Sequence, residues 1–227
     1  MNWTVVIPYR WTDPARAQSF DFVRAWWDDM GYPVLVGGQD PSWPPWSKGA
    51  AVGSVRADVQ TEGLIIADCD VLVTGEAIGL SKAAVASGAA WVQPHGSVIR
   101  LNRPETLRIY RMGPDAVSTQ RQRAATHRAP AGGGLVFLTV DAYDTVRGID
   151  PRFCGWGGED ISFARALDTL VGYGLRLGGI LWHLWHPRTP RRAGNRANVE
   201  SERIAAAYLD AEGDPIAMRA LVDRRAP

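Results

Sequence analysis

A β-branched strand, an amphipathic helix and a second strand follow one another at the start of the chain, and this order leaves few folds open. WTVVIPYR at 3–10 is an apolar, β-branched run stopped by Pro8, which predicts a buried strand running into a loop. Residues 14–30 begin with Pro14, carry apolar side chains at helical spacing and end before Gly31. YPVLVGG at 32–38 is then a second short strand. Strand, helix, strand is the opening of a parallel α/β sheet, whose ligands collect beyond the carboxyl ends of its strands.

The remaining segments extend that pattern. QDPSWPPWS at 39–47 is a Pro-rich loop with two tryptophans, and helical spacing resumes over 48–58. GLIIADCDVLVT at 63–74 is a dense β-branched run, followed by a helix over 76–87 and a strand, AAWVQP, at 89–94. Residues 113–130 are polar, non-periodic and rich in Arg and Ala, the composition of a mobile loop. GGGLVFLTV at 132–140 returns to strand, and DAYDTVRGID is a short helix and turn leading into CGWGGED at 154–160. A helix is expected over 160–173, a last strand or strand pair over 175–187, a basic loop over 188–196 and helices near 198–211 and 214–224. One α/β domain is expected over 1–190, its sheet mixed and mostly parallel, with 191–227 as a helical extension packed on it.

The 227 residues are 46% hydrophobic and 22% charged, an ordinary globular composition. A formal net charge of +1 gives no reason to expect nucleic acid or a membrane surface as a partner. Cys69 and Cys154 are too few for a disulfide framework. The opening MNWTVVIPYRW has neither the basic leader nor the long apolar run of a signal peptide or spanning segment, so a reducing, cytoplasmic setting is expected.

Three short strings carry chemistry. Asp68-Cys69-Asp70 lies inside an apolar run, where charge is costly unless compensated. Strand alternation would turn both aspartates to one side and Cys69 to the other. Paired acidic oxygens of this kind suit a hard divalent cation, which in turn suits a diphosphate. LWHLWHP places His183 and His186 in a Trp-flanked apolar stretch, from which an imidazole could reach the aspartate pair. CGWGGED joins Trp156, Gly157 and Gly158 to adjacent carboxylates, Glu159 and Asp160. That string fits a tight turn with a packed indole; it also fits a backbone that something approaches closely, beside an indole face and two carboxylates that need partners. The arginines at 121, 123 and 128 read as loop surface, with a lid role as the lesser alternative, and Arg188, Arg191, Arg192 and Arg196 as a solvated loop or a phosphate or substrate contact.

Taken in order, VVIPYR, WSKGAAVGS, ADCDV, GGGLVFLTVDAY, GIDPRFCGWGGEDISFARAL and HLWHP resemble a GT-A glycosyltransferase. The chain is similar to the catalytic region of the beta-1,4-galactosyltransferase family, of the galactosyltransferase C-terminal domain type, and its bacterial relatives. The resemblance implies a Rossmann-like nucleotide-diphospho-sugar transferase fold, a UDP-sugar donor and Mn²⁺ or Mg²⁺. It implies metal ligation by Asp70 with His183 or His186, His183 being preferred, and places Asp68 near the ribose or behind the ligands. Arg10, Trp46, Lys48, Gly134, Trp156, Gly157 and Gly158 would contact the donor, Lys48 near the phosphates, where the vertebrate enzymes have arginine. Glu159 would bind sugar hydroxyls, and Asp160 would be the base of an inverting displacement, since related retaining enzymes tend to carry an amide there. The acceptor would be a hydroxyl of a glycan, lipid or protein.

Two other functions are weighed. A sugar-phosphate nucleotidyltransferase also uses an α/β sheet and acidic metal ligands, but it wants a glycine-rich basic loop after the first strand, and VVIPYRWTDPAR lacks the glycines. A non-catalytic carbohydrate-binding module would explain ten tryptophans, but neither the aspartate pair nor WGGED.

Overall fold

The computed structural model describes residues 1–38, 46–113, 116, 126–128, 131–155, 157–187 and 196–225, with 126–128 and 196–198 as backbone alone. In chain order the elements are β1 (Trp3–Pro8), α1 (Pro14–Asp29), β2 (Val34–Gly37), α2 (Lys48–Gly53), β3 (Gly63–Ala67), β4 (Val71–Leu72), α3 (Gly75–Ala86) and β5 (Trp91–Arg100). There follow α4 (Arg103–Met112), β6 (Thr126–Arg128), β7 (Leu135–Thr139), α5 (Val140–Thr145), α6 (Glu159–Leu170), β8 (Leu175–His183), α7 (Arg196–Asp210) and α8 (Pro215–Asp223).

The strands form one sheet in the order β2-β1-β3-β7-β5-β8-β4, with β6 on β5. Strand alternation explains why it lies between two helical layers. Val5, Ile7, Ile65, Leu135 and Phe137 face a core shared with Phe20, Val23 and Trp27 of α1, Ile78 of α3 and Ile109 of α4. Their neighbours Val6, Leu64, Ile66, Val136 and Leu138 face the opposite core, with Val52 of α2, Phe163 and Leu167 of α6, Ile204 and Tyr208 of α7, and Met218 and Val222 of α8. The sheet is mixed. β1·β2, β1·β3 and β5·β8 are parallel, while β3·β7, β4·β8, β5·β6 and β5·β7 are antiparallel. Antiparallel pairing is thus more extensive than the strand-helix-strand opening suggests, because β7 enters the middle of the sheet in reverse.

Three local readings change. The run expected as one strand over 63–74 breaks after Ala67; the Asp68 amide bonds the Gly134 carbonyl (2.8 Å), the chain turns, and β4 departs to pair with β8. The turn carries both aspartates out of the apolar layers to the end of the sheet. β5 continues well past Pro94, with register shifts around His95 that absorb the missing proline donor. α4, in a stretch to which periodicity assigns no element, is set by an Asn102–Glu105 capping box.

A buried polar cluster fixes the C-terminal helices beneath the site. Arg225 donates to the carbonyls of Val146 (3.0 Å), Arg147 (3.2 Å) and Gly148 (2.7 Å) and to the Tyr208 hydroxyl. Tyr208 donates to Asp150 (3.0 Å), which also holds Arg152. Arg225→Met should lower unfolding stability by about 3 kcal/mol, since it strips donors from three carbonyls and a cation from beside a buried carboxylate. Urea denaturation checks this; a change within error would show the cluster to be slack. None of the described helices is long and apolar enough to cross a membrane.

Candidate active site

The ladder that ends β8 builds the first half of the site. Val71 pairs with His183, and the Leu184 amide donates to the Asp70 carbonyl (2.8 Å), so Asp70 is pinned beside the strand end. The Trp185 amide then bonds Thr106 Oγ1 (2.9 Å), and the turn brings His186 back to the same carboxylate. His183 Nε2 lies 3.7 Å from Asp70 Oδ1, and His186 Nε2 lies 3.3 Å from Oδ2. Each ring presents Nδ1 to a backbone carbonyl at 2.8 Å, His183 to Leu184 and His186 to Pro187. With Nδ1 donating, each Nε2 lone pair is turned toward Asp70.

This donor set fits a divalent transition-metal ion. One carboxylate and two imidazoles offer ligand atoms within 4.8 Å of one another. Burial lowers the His183 pKa, which favours the neutral ring a metal requires. Burial alone would raise Asp70, but the positive charge that gathers around it at low pH, from His183, Arg16 and His186, holds its pKa below the usual carboxylate range. Both histidines face Asp70, whereas the sequence left the choice between them open.

The second half is built around Lys48. Ser47 caps α2, accepting from the Ala50 amide (3.3 Å) and donating to the Pro151 carbonyl (2.8 Å). The Gly155 amide bonds the Trp46 carbonyl (2.7 Å), so the start of α2 is stitched to the loop that leads into α6. Lys48 Nζ then sits between Asp68 Oδ1 (2.8 Å) and Asp160 Oδ1 (2.9 Å). Lys48, expected at the phosphates, is committed to two carboxylates; burial would lower its pKa, but Asp160 and Asp68 raise it far above the ordinary lysine value. Burial pushes Asp160 up to about 7 against the pull of Lys48, with Glu159 and Asp68 adding to the rise. Alternation therefore does not describe the aspartates: they flank a turn, Asp68 bonding Lys48 and Asp70 meeting the histidines. Cys69 does not point away either, since its Sγ lies 4.0 Å from Asp70 Oδ2.

The other expected site residues take varied places. Gly134 (φ +76°) accepts the Asp68 amide, and a Cβ there would lie 2.7 Å from Leu181 Cδ1. Gly157 faces open space, whereas a Cβ on Gly158 would strike Phe153 at 2.9 Å. The second glycine of WGGED is thus demanded by packing and the first leaves room. The Glu159 carboxylate accepts from the Gly157 amide (3.1 Å) and holds the turn. The Arg10 guanidinium lies 5.5 Å from the Trp46 ring centroid. Trp156, Arg121, Arg123, Arg188, Arg191 and Arg192, and the side chains of Arg128 and Arg196, lie outside the described residues. Sequence reasoning missed Arg16, whose Nη2 is 3.4 Å from Asp70 Oδ2. The available signal was its place in the first turn of a helix that starts at the carboxyl end of the sheet.

A sequence-family profile described as the N-terminal domain of galactosyltransferase matches residues 119–171. No curated protein matches the chain in sequence. Among solved structures, a mutant Drosophila β1,4-galactosyltransferase 7 in complex with manganese, UDP-Gal and xylobiose superposes with a TM-score of 0.56 at 12% identity, covering 88% of this chain and 79% of that one. GalNAc-T7 with UDP, GalNAc and Mn²⁺ gives 0.59 at 12% identity over 99% of this chain and 55% of that one. Glucosyl-3-phosphoglycerate synthase from Mycobacterium tuberculosis with Mn²⁺ and UDP-glucose gives 0.51 at 12% identity over 93% and 79%. The chain has the GT-A fold of these transferases.

Proposed function

We propose that this chain is a metal-dependent, inverting glycosyltransferase that moves a hexose or N-acetylhexosamine from a UDP-sugar to a hydroxyl of a glycan, lipid or protein. One observation carries the reading. Asp160 and Asp68 share a single ammonium group, and Asp70, two residues further on, faces His183 and His186. A candidate base and a candidate cation site therefore lie within about the span of a sugar ring and a diphosphate, since two residues cover only about 7 Å of chain.

The roles follow from position. Asp70, His183 and His186 would hold Mn²⁺, the ion named with the superposed transferases. When bound, such an ion neutralises charge on the departing diphosphate, so no protonated leaving-group acid is needed. Asp160, ionised, takes the proton of the acceptor hydroxyl as its oxygen attacks the anomeric carbon from the face opposite the leaving group. Lys48 orients that carboxylate through Oδ1 and leaves Oδ2 for the incoming hydroxyl. The gap at Gly157 gives the sugar access, and Arg10 with Trp46 offers a flat cationic surface to a base or ribose.

The test is UDP release. Incubation with a panel of UDP-sugars and Mn²⁺ should yield UDP from at least one donor, EDTA should abolish it, and NMR of the product should show an inverted anomeric centre. Pyrophosphate formed from a nucleoside triphosphate and a sugar phosphate would establish nucleotidyl transfer instead. Sugar binding without UDP release from any donor would favour the carbohydrate-binding module.

A further inference from the structure

A guanidinium group lies against the carboxylate that would hold the cation. Asp13 caps α1 by accepting the Arg16 amide (3.0 Å), and this first turn delivers Arg16 across the end of the sheet. Arg16 Nε approaches Cys69 Sγ at 3.4 Å, and Nη2 approaches Asp70 Oδ2 at 3.4 Å. The same Oδ2 is the oxygen His186 faces. Asp70 is 3% exposed, whereas Arg16 is 30% exposed and so has open space beside the cluster.

Charge balance makes this arrangement informative. Among the described ligand groups only Asp70 is anionic, and Arg16 cancels it. Asp68 is engaged elsewhere, by the Lys48 ammonium that it shares with Asp160. Arg100, in register with His183, adds further positive potential, which acts on both Asp70 and His183. A divalent ion entering alone meets one carboxylate already paired with a cation, in surroundings that screen poorly. A diphosphate reverses the balance, since it brings several negative charges and oxygens that match the guanidinium fork.

We propose that Arg16 makes cation binding conditional on the diphosphate: its guanidinium yields Asp70 Oδ2 to the ion and turns its donors onto diphosphate oxygens, so that ion and nucleotide bind as one unit. This rests on the functional reading above and adds a residue and a binding order to it. Arg16 is then both a brake on the empty site and a contact in the filled one.

Calorimetric titration of Mn²⁺ into the protein, with and without saturating UDP and with a buffer blank for UDP–Mn²⁺ association, tests the idea. The parent should bind Mn²⁺ at least about tenfold tighter with UDP present. Arg16→Met should bind Mn²⁺ alone severalfold tighter than the parent, and its UDP coupling should shrink to about twofold or less. Arg16→Lys, which keeps the charge but not the fork, should lie between them. A side chain that merely supported α1 would not tighten Mn²⁺ binding on removal, and thermal melts show whether each variant is folded. Undiminished coupling in a folded Arg16→Met, or equal parental affinities with and without UDP, overturns the proposal while UDP binding sustains the functional reading. A parent that binds no UDP at any Mn²⁺ concentration overturns both.

Discussion

Asp160→Asn is expected to lower turnover with the preferred UDP-sugar by about 10²- to 10⁴-fold, the usual worth of a positioned general base. UDP–Mn²⁺ affinity should change little, because the variant leaves Asp70, His183 and His186 in place. The amide keeps the shape of the side chain and can still accept from Lys48, which retains Asp68 as its ionic partner. The pH profile gives an independent mark. Burial pushes Asp160 up to about 7, and only its ionised form can accept the proton. In the parent, kcat/KM should therefore rise with pH through this region and level off above it, and the residual activity of Asp160→Asn should lose that limb. A parental profile flat from pH 5 to pH 8, or a variant with parental turnover, would remove Asp160 from the chemistry.

Asp70→Ala is expected to have the other large effect. It deletes the one carboxylate of the cluster and leaves two imidazoles beside an unneutralised Arg16. Mn²⁺ affinity measured with UDP present should fall further than the roughly 10- to 100-fold that loss of a supporting hydrogen bond costs a metal site. Turnover should fall with it and recover in part at high Mn²⁺. Asp70 is also buried beside Arg16, so a lower melting temperature is expected; unchanged Mn²⁺ affinity in a folded variant would mean that Asp70 only anchors the strand ends.

Much of this arrangement was legible where chemistry and fold speak through neighbouring residues. Unbroken apolar runs in TVVI, GLIIA and LVFL specify strands buried on both faces, and that is where they lie. GWGGED and LWHLWHP each gather their polar groups within one turn, so local sequence exposes them. What stayed hidden depends on partners far along the chain. Nothing near Ala67 says that the strand stops there; the break reflects the Gly134 carbonyl, which takes up the next amide. Lys48 reads as a phosphate contact until Asp160, 112 residues away, is seen to bond it. Arg16 reads as surface on an amphipathic helix, and only the packing of α1 against the sheet directs it to Asp70.

The two halves of the site hang from opposite sides of the molecule. Lys48 and Asp160 belong to helices on one face of the sheet, His183 ends and His186 follows a strand packed with the other, and Cys69 alone separates Asp68 from Asp70. That single residue acts as a ruler. Small repacking within either layer shifts its own group, yet the gap between Asp68, which Lys48 ties to Asp160, and Asp70, which faces the histidines, stays set by covalent bonds. A site assembled this way tolerates drift in the bulk of the fold, and the segment that tolerates no insertion is the shortest one.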